Sequence, residues 1–338
     1  MSQYTPLKLR RLPADYCFPA QPGVDASQPG VDAYIFPEEA VIAVEVALVT
    51  QRPLLVAGPP GCGKSRLAET VAAVLQWNFL HQTITSRTRV EQLTVDVDHL
   101  RRLNDAQRAA RPDARSNARS NARALERDEE YYNPGIFWWA FNPASASRRG
   151  LPANVGKPRV AARCGGVVRR PASEPQHTVL LIDEIDKAEP DLPNDLLEPL
   201  DRRSFTLPDG RPLTADPQQE LLTIITTNGE RELPQAFLRR CVSLLLREPD
   251  RDGLIAIARV RAPDVADELI AAIAARMVEL RRQRSDSGQR SPGTSEFLDA
   301  VRTCHDLAIG VDSEKWQQVE RATLLKPMAA EDERSRQS

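Results

Sequence analysis

The sequence predicts an α/β chain in which short apolar strands alternate with helices, closed by a stretch that is helical alone. Three observations carry this. Four runs have strand length and strand composition: "PLLVA" (53–57), "NFLHQTIT" (78–85), the apolar part of "TVLLIDEIDKA" (178–188) and "LLTIITTN" (221–228). Between and before them the spacing becomes helical, in "FPEEAVIAVEVALVT" (36–50) and from Ser65 to Leu75, where Leu67, Ala68, Val71, Ala72 and Leu75 recur on one face. Toward the C-terminus "DELIAAIAARMVELRRQR" (267–284) and "SEFLDAVRTCHDLAI" (295–309) are both helical, split by the breaker-rich "SDSGQRSPGT".

Size and composition set the frame. The 338 residues are enough for two domains, and 41% apolar with 27% charged residues is ordinary for a globular chain. A net charge of −2 supplies no general attraction to nucleic acid or anionic membrane, so such contacts would need local patches. Five scattered cysteines without a C-x-x-C pair argue against a zinc site and a disulfide framework. No basic-then-apolar leader and no apolar run of membrane length is present, so a cytoplasmic protein is expected.

Along the chain, residues 1–33 are proline-rich, carry the tandem "QPGVDAS"/"QPGVDA" and are read as a tail. Two insertions follow, at about 104–130 and 147–177. In the first, Arg111, Arg115, Arg119, Arg123 and Arg127 recur every fourth residue. They form either a solvated face or a polyanion-binding stripe, and the lack of interleaved aromatics favours the former. The second is rich in Pro, Gly and Arg and is expected to be exposed. Between them, "YYNPGIFWWAFNPASA" (131–146) is the richest aromatic cluster; two adjacent tryptophans on a helix are not expected to face one core, which leaves one for a neighbour.

The chemistry begins at residue 58. Gly58, Pro59, Pro60, Gly61, Cys62, Gly63, Lys64 and Ser65 fit G-x-x-x-x-G-K-[ST] without a mismatch, between a strand and a helix. Glycines let backbone N–H groups turn inward around a phosphate, and the helix N-terminus adds positive potential. Lys64 is placed for the terminal phosphates and Ser65 for Mg²⁺, with Arg66 next in line among the nucleotide contacts. Beside Lys64 and a helix start, Cys62 is expected to be a reactive thiol.

A second motif supplies the acids. Asp183 at the end of an apolar strand can hold Mg²⁺ through water, and Glu184 can polarise the water that attacks a γ-phosphate. Asn228 ends the next strand and can orient that water; the alternative is a turn asparagine in Asn-Gly. In "LPQAFLRRC" (233–241), Arg239 and Arg240 are candidates for an arginine supplied to a neighbouring subunit.

In this order the motifs resemble those of AAA+ ATPases, and "ITSRT" (84–88), "YYNPGIFWWA", "LLIDEIDKA" and "LPQAFLRRC" resemble segments of the MoxR group and its AAA_5 relatives, over about Tyr34 to Pro327. The resemblance implies a doubly wound parallel αβα P-loop domain over 34–249, a small helical lid over 250–327 and a C-terminal tail over 328–338. It further implies Mg²⁺·ATP in the turn, Asn228 as a sensor, Arg240 as a trans-acting finger, a homo-hexameric ring and a protein client, with a partner carrying a von Willebrand A domain. The chain departs from the group at three places: Gly293 stands where a lid arginine is common, Arg239 replaces an acid, and Cys62 replaces Thr or Ser. The leading expectation is a chaperone-like ATPase that remodels a partner. The alternative is an ATPase motor of a nucleic-acid-directed restriction or defence system, which the arginine repeat would serve.

Overall fold

Apolar, β-branched runs buried on both faces of a sheet give strands without polar alternation, and this is how the central strands read. A computed structural model describes residues 34–110, 128–152, 154, 160, 165–167, 177–287, 291–311 and 313–325. The N-terminal tail, the arginine repeat at 111–127, most of the basic stretch within 147–177 and the C-terminal tail lie outside the described residues. Ten strands are present among the described residues: β1 (Leu54–Ala57), β2 (Asn78–Thr83), β3 (Val95–Val97), β4 (Tyr132–Pro134), β5 (Gly165–Val167), β6 (Thr178–Asp183), β7 (Ser204–Thr206), β8 (Pro212–Thr214), β9 (Leu221–Thr227) and β10 (Val242–Leu245).

Six of them form one sheet in the order β10-β1-β9-β6-β2-β5. The centre is parallel: β6 pairs with β2 from Asn78↔Thr178 to Thr83↔Asp183, and with β9 from Thr178↔Leu221 to Ile182↔Ile225. All seven residues of β9 and the first five of β6 are buried. β5 closes the edge, antiparallel to β2. This is a doubly wound P-loop αβα fold, in which ligands bind outside the carboxyl ends of the strands. Among the described residues no helix is long and apolar enough to cross a membrane.

By contact density the chain divides into two units. The larger holds 43–55 and 71–243, and β1 and β10 begin in it. Its core joins Leu180, Ile182 and Ile225 of the sheet to an aromatic group of Phe137, Trp138, Phe141 and Phe205. Trp138 meets Phe205 edge-on at 6.3 Å and donates from Nε1 to Ser145 Oγ at 3.2 Å. The two tryptophans, not expected to face one core, both do: Trp139 packs half-buried against the cluster that holds Trp138. The reason is that the Ile136–Phe141 helix is apolar nearly all round and therefore enclosed.

The second unit holds, of the described residues, 34–42, 56–70 and 244–325. Its helices Arg251–Arg261, Asp267–Ser287, Thr294–Asp306 and Glu314–Glu320 have a core of their own, including Leu254, Ile273, Met277, Phe297, Val301 and Trp316. The helix Lys64–Leu75 starts one residue before the predicted position.

Candidate functional site

The phosphate-type turn connects β1 to the helix Lys64–Leu75. Gly61 (φ +79°) and Gly63 (φ +98°) occupy the left-handed region, which strains any L side chain. Space is tight as well: a Cβ at Gly63 would stand 3.2 Å from the Tyr34 ring, and one at Gly61 would stand 3.2 Å from Gly293 Cα. Lys64 is only 7% exposed, and its ammonium donates to the carbonyl oxygens of Gly58 (2.7 Å) and Pro59 (2.9 Å). Ser65 lies in the first helical turn, where N–H groups lack intrahelical partners and the helix dipole favours an anion. Arg66 pairs with Glu69 at 2.7 Å.

Beside the turn lies a cavity of about 360 Å³ whose lining includes Tyr34, Phe36, Gly63, Arg66, Ile257 and Val260. A mostly apolar wall with a few polar groups is the usual make-up of a small-molecule pocket. Tyr34 meets Phe36 edge-on at 5.1 Å, and burial pushes its phenol above the ordinary value. Neither ring was among the residues expected from the sequence, although the aromatic pair just ahead of a helix was visible there.

The expectation of a reactive Cys62 is corrected. Burial raises the thiol above its ordinary range, and the opposing pull of Lys64 is smaller. The sequence displays the neighbouring cation but not the loss of water.

From beyond, the segment 291–294 abuts the turn. Thr294 N–H donates to the Gly61 carbonyl at 3.2 Å, and a Cβ on Gly293 would press on Pro60 O and Gly61 Cα, each at 3.2 Å. Arg281 holds this segment by donating to the carbonyl oxygens of Pro292 (3.1 Å) and Pro249 (2.8 Å) and pairing with Glu248 at 3.3 Å. The position that carries a lid arginine in the resembling group therefore brings backbone, not a guanidinium, against the turn.

In the larger unit the acids follow the carboxyl end of β6. Asp183 Oδ1 accepts the Thr226 hydroxyl at 2.5 Å, and its Oδ2 lies 3.6 Å from His81 Nε2. Glu184 has φ +61° and ψ +50°, a left-handed conformation uncommon for a residue with a side chain, and its N–H donates to Thr226 Oγ1 at 2.9 Å. Asn228 follows the end of β9, and its N–H donates to Asp186 Oδ2 at 3.1 Å. Asp183, Glu184 and Asn228 are thus brought together; Thr226 and Asp186, which join them, carried no signal in the sequence.

Arg240 stands apart from that group. Its Nε pairs with Asp201, its Nη1 donates to the Ala236 carbonyl at 2.9 Å, and the side chain is 41% exposed. Arg239 is exposed, and its carbonyl accepts a hydrogen bond from Arg52.

Residues 53–241, more than half of the chain, match the family described as "AAA domain (dynein-related subfamily)". The matched span begins one residue before β1 and ends one residue past Arg240, so it includes the turn, both acids, Asn228 and both arginines.

Proposed function

The chain belongs to the AAA domain family, dynein-related subfamily, a family of ATPases, and on that premise we propose that it is a MoxR-like ATPase that couples hydrolysis to remodelling or activation of a partner protein. The observation that carries the reading is the turn from Gly58 to Ser65, with two left-handed glycines, a lysine held at its mouth and a small-molecule cavity alongside. Such a turn presents N–H donors and a cation to a polyphosphate, and the cavity has room for a base. Ser65 and Asp183 supply the hard oxygen ligands that suit Mg²⁺, which neutralises phosphate charge when bound. Gly58 to Arg66 bind the nucleotide, Glu184 takes the proton of the attacking water and Asn228 orients it. The nucleotide domain extends over 34–249, and the helices after it act as a lid.

Arg240 is assigned as the finger that a homo-hexameric ring presents to the next subunit, with Asp201 holding it until then. Arg240→Ala is expected to retain ATP binding and lose about 10³-fold in kcat, the scale of a missing finger. Rings mixed with Lys64→Ala subunits should regain turnover wherever an intact pocket faces an intact arginine. The same loss in Arg239→Ala, with none in Arg240→Ala, transfers the role to its neighbour.

The client is a protein, and the setting cytoplasmic. The balanced net charge of −2 supports a protein over a nucleic acid. The test is capture of a partner by Glu184→Gln in the native host, a von Willebrand A-domain protein being the expected class. Alongside it, DNA or RNA at physiological salt should change the hydrolysis rate by less than about twofold, since non-specific contacts weaken steeply with salt. Strong, salt-sensitive stimulation would favour a nucleic-acid motor.

A further inference from the structure

We propose that Asp186 is a positioning residue for hydrolysis: it clamps the Asn228 loop to the Glu184 turn, so that the water-activating acid and the water-orienting amide move as one piece. The inference deepens the ATPase reading and rests on it.

Asp186 lies in the short turn Ile185–Lys187 and is only 2% exposed. A carboxylate so enclosed is tolerated where a cation or several N–H donors hold it. Among the described residues Asp186 has no ion pair, and the adjacent Lys187 turns to Glu230 instead. Its donors are backbone N–H groups of the loop after β9: Asn228 at 3.1 Å and Glu230 at 3.0 Å, both on Oδ2. Oδ1 is enclosed without a partner. An idle buried acceptor is a poor device for stability, which points to placement as the purpose of this side chain.

The rest of the junction has the same logic. Thr226, fully buried, bonds Asp183 through its hydroxyl hydrogen and the Glu184 N–H through its oxygen. Four residues of one segment (183, 184, 186 and 187) are thereby tied to three of the other (226, 228 and 230). Asn228 sits between the Thr226 and Glu230 ties, and Gly229 (φ +75°) makes the bend between the two N–H groups that Asp186 receives. The clamp thereby sets the main chain of Asn228, and through it the amide, while Thr226 retains the left-handed backbone of Glu184. Water held between an amide and a carboxylate reacts well only at fixed separation.

The experiment compares Asp186→Ala, Asp186→Asn and Glu184→Gln in the full chain by kcat, Kd for ADP and Tm. Asp186→Ala should lose about 100-fold in kcat, the effect of a roughly 1 Å misplacement, with Kd for ADP within about twofold. Asp186→Asn keeps an oxygen that can accept both N–H groups and should stay within about tenfold of wild type, neutral bonds being roughly half as strong. Should Asp186→Ala fail to fold, Asp186→Ser, whose single hydroxyl cannot reach both donors, replaces it with the same expectation. Near-wild-type kcat in the Ala or Ser variant overturns the inference, as does a common fall of kcat, ADP affinity and Tm. Wild-type turnover in Glu184→Gln would instead overturn the hydrolysis reading beneath it.

Discussion

Lys64→Ala is expected to lose nucleotide binding. The ammonium now rests on the carbonyl oxygens of Gly58 and Pro59, so it sits at the turn proposed to receive the phosphates. Charge-assisted hydrogen bonds contribute about 1.5–3 kcal/mol each, and two such contacts to phosphate correspond to a Kd weakened about 100-fold or more. Removing the ammonium also frees the two carbonyl groups it tethers, which loosens the turn and adds to the loss. Equilibrium titration with a fluorescent ATP analogue measures it. A Kd within about threefold of wild type would deprive Lys64 of its role.

Glu184→Gln separates binding from chemistry. The substitution keeps the shape of the side chain and leaves the N–H bond to Thr226 untouched, because that bond belongs to the backbone. What should disappear, on the proposed reading, is the base. General-base contributions are typically 10²–10⁴-fold, so kcat should fall by about 10² or more while ATP still binds. Tm should stay near wild type, and the proposed ring, trapped with ATP, should persist longer.

What the sequence disclosed and what it concealed divide along physical lines. β1, β2, β6 and β9 were legible because each lies in a run of strand length and largely apolar composition, whereas the four-residue β10, interrupted by Ser243, was not read; the phosphate turn was legible because its chemistry is local: glycine freedom, a lysine and a hydroxyl in consecutive positions. The three-residue strands β3, β4, β5, β7 and β8 were not, since three residues establish no period. Cys62 was misread because thiol acidity depends on hydration, which only the fold reveals. The tryptophan pair was misread because a short helix that is apolar nearly all round packs Trp138 and Trp139 against one core.

Thr226 and Asp186 were hidden for a different reason. Their partners lie more than 40 positions away, at Glu184 for Thr226 and at Asn228 and Glu230 for Asp186. Only the β6–β9 register, ending at Ile182↔Ile225, brings the two strand ends level. Asn228 itself was legible as the residue that ends an apolar strand; what fixes its main chain was not.

The most direct test of the account is phosphate release from Mg²⁺·ATP by wild type and Glu184→Gln side by side, each at nucleotide concentrations that saturate the measured binding. The account predicts steady release by the wild type, and release lower by about 10² or more in Glu184→Gln despite full occupancy. Equal release by the two proteins, or none from a saturated wild type, would contradict it.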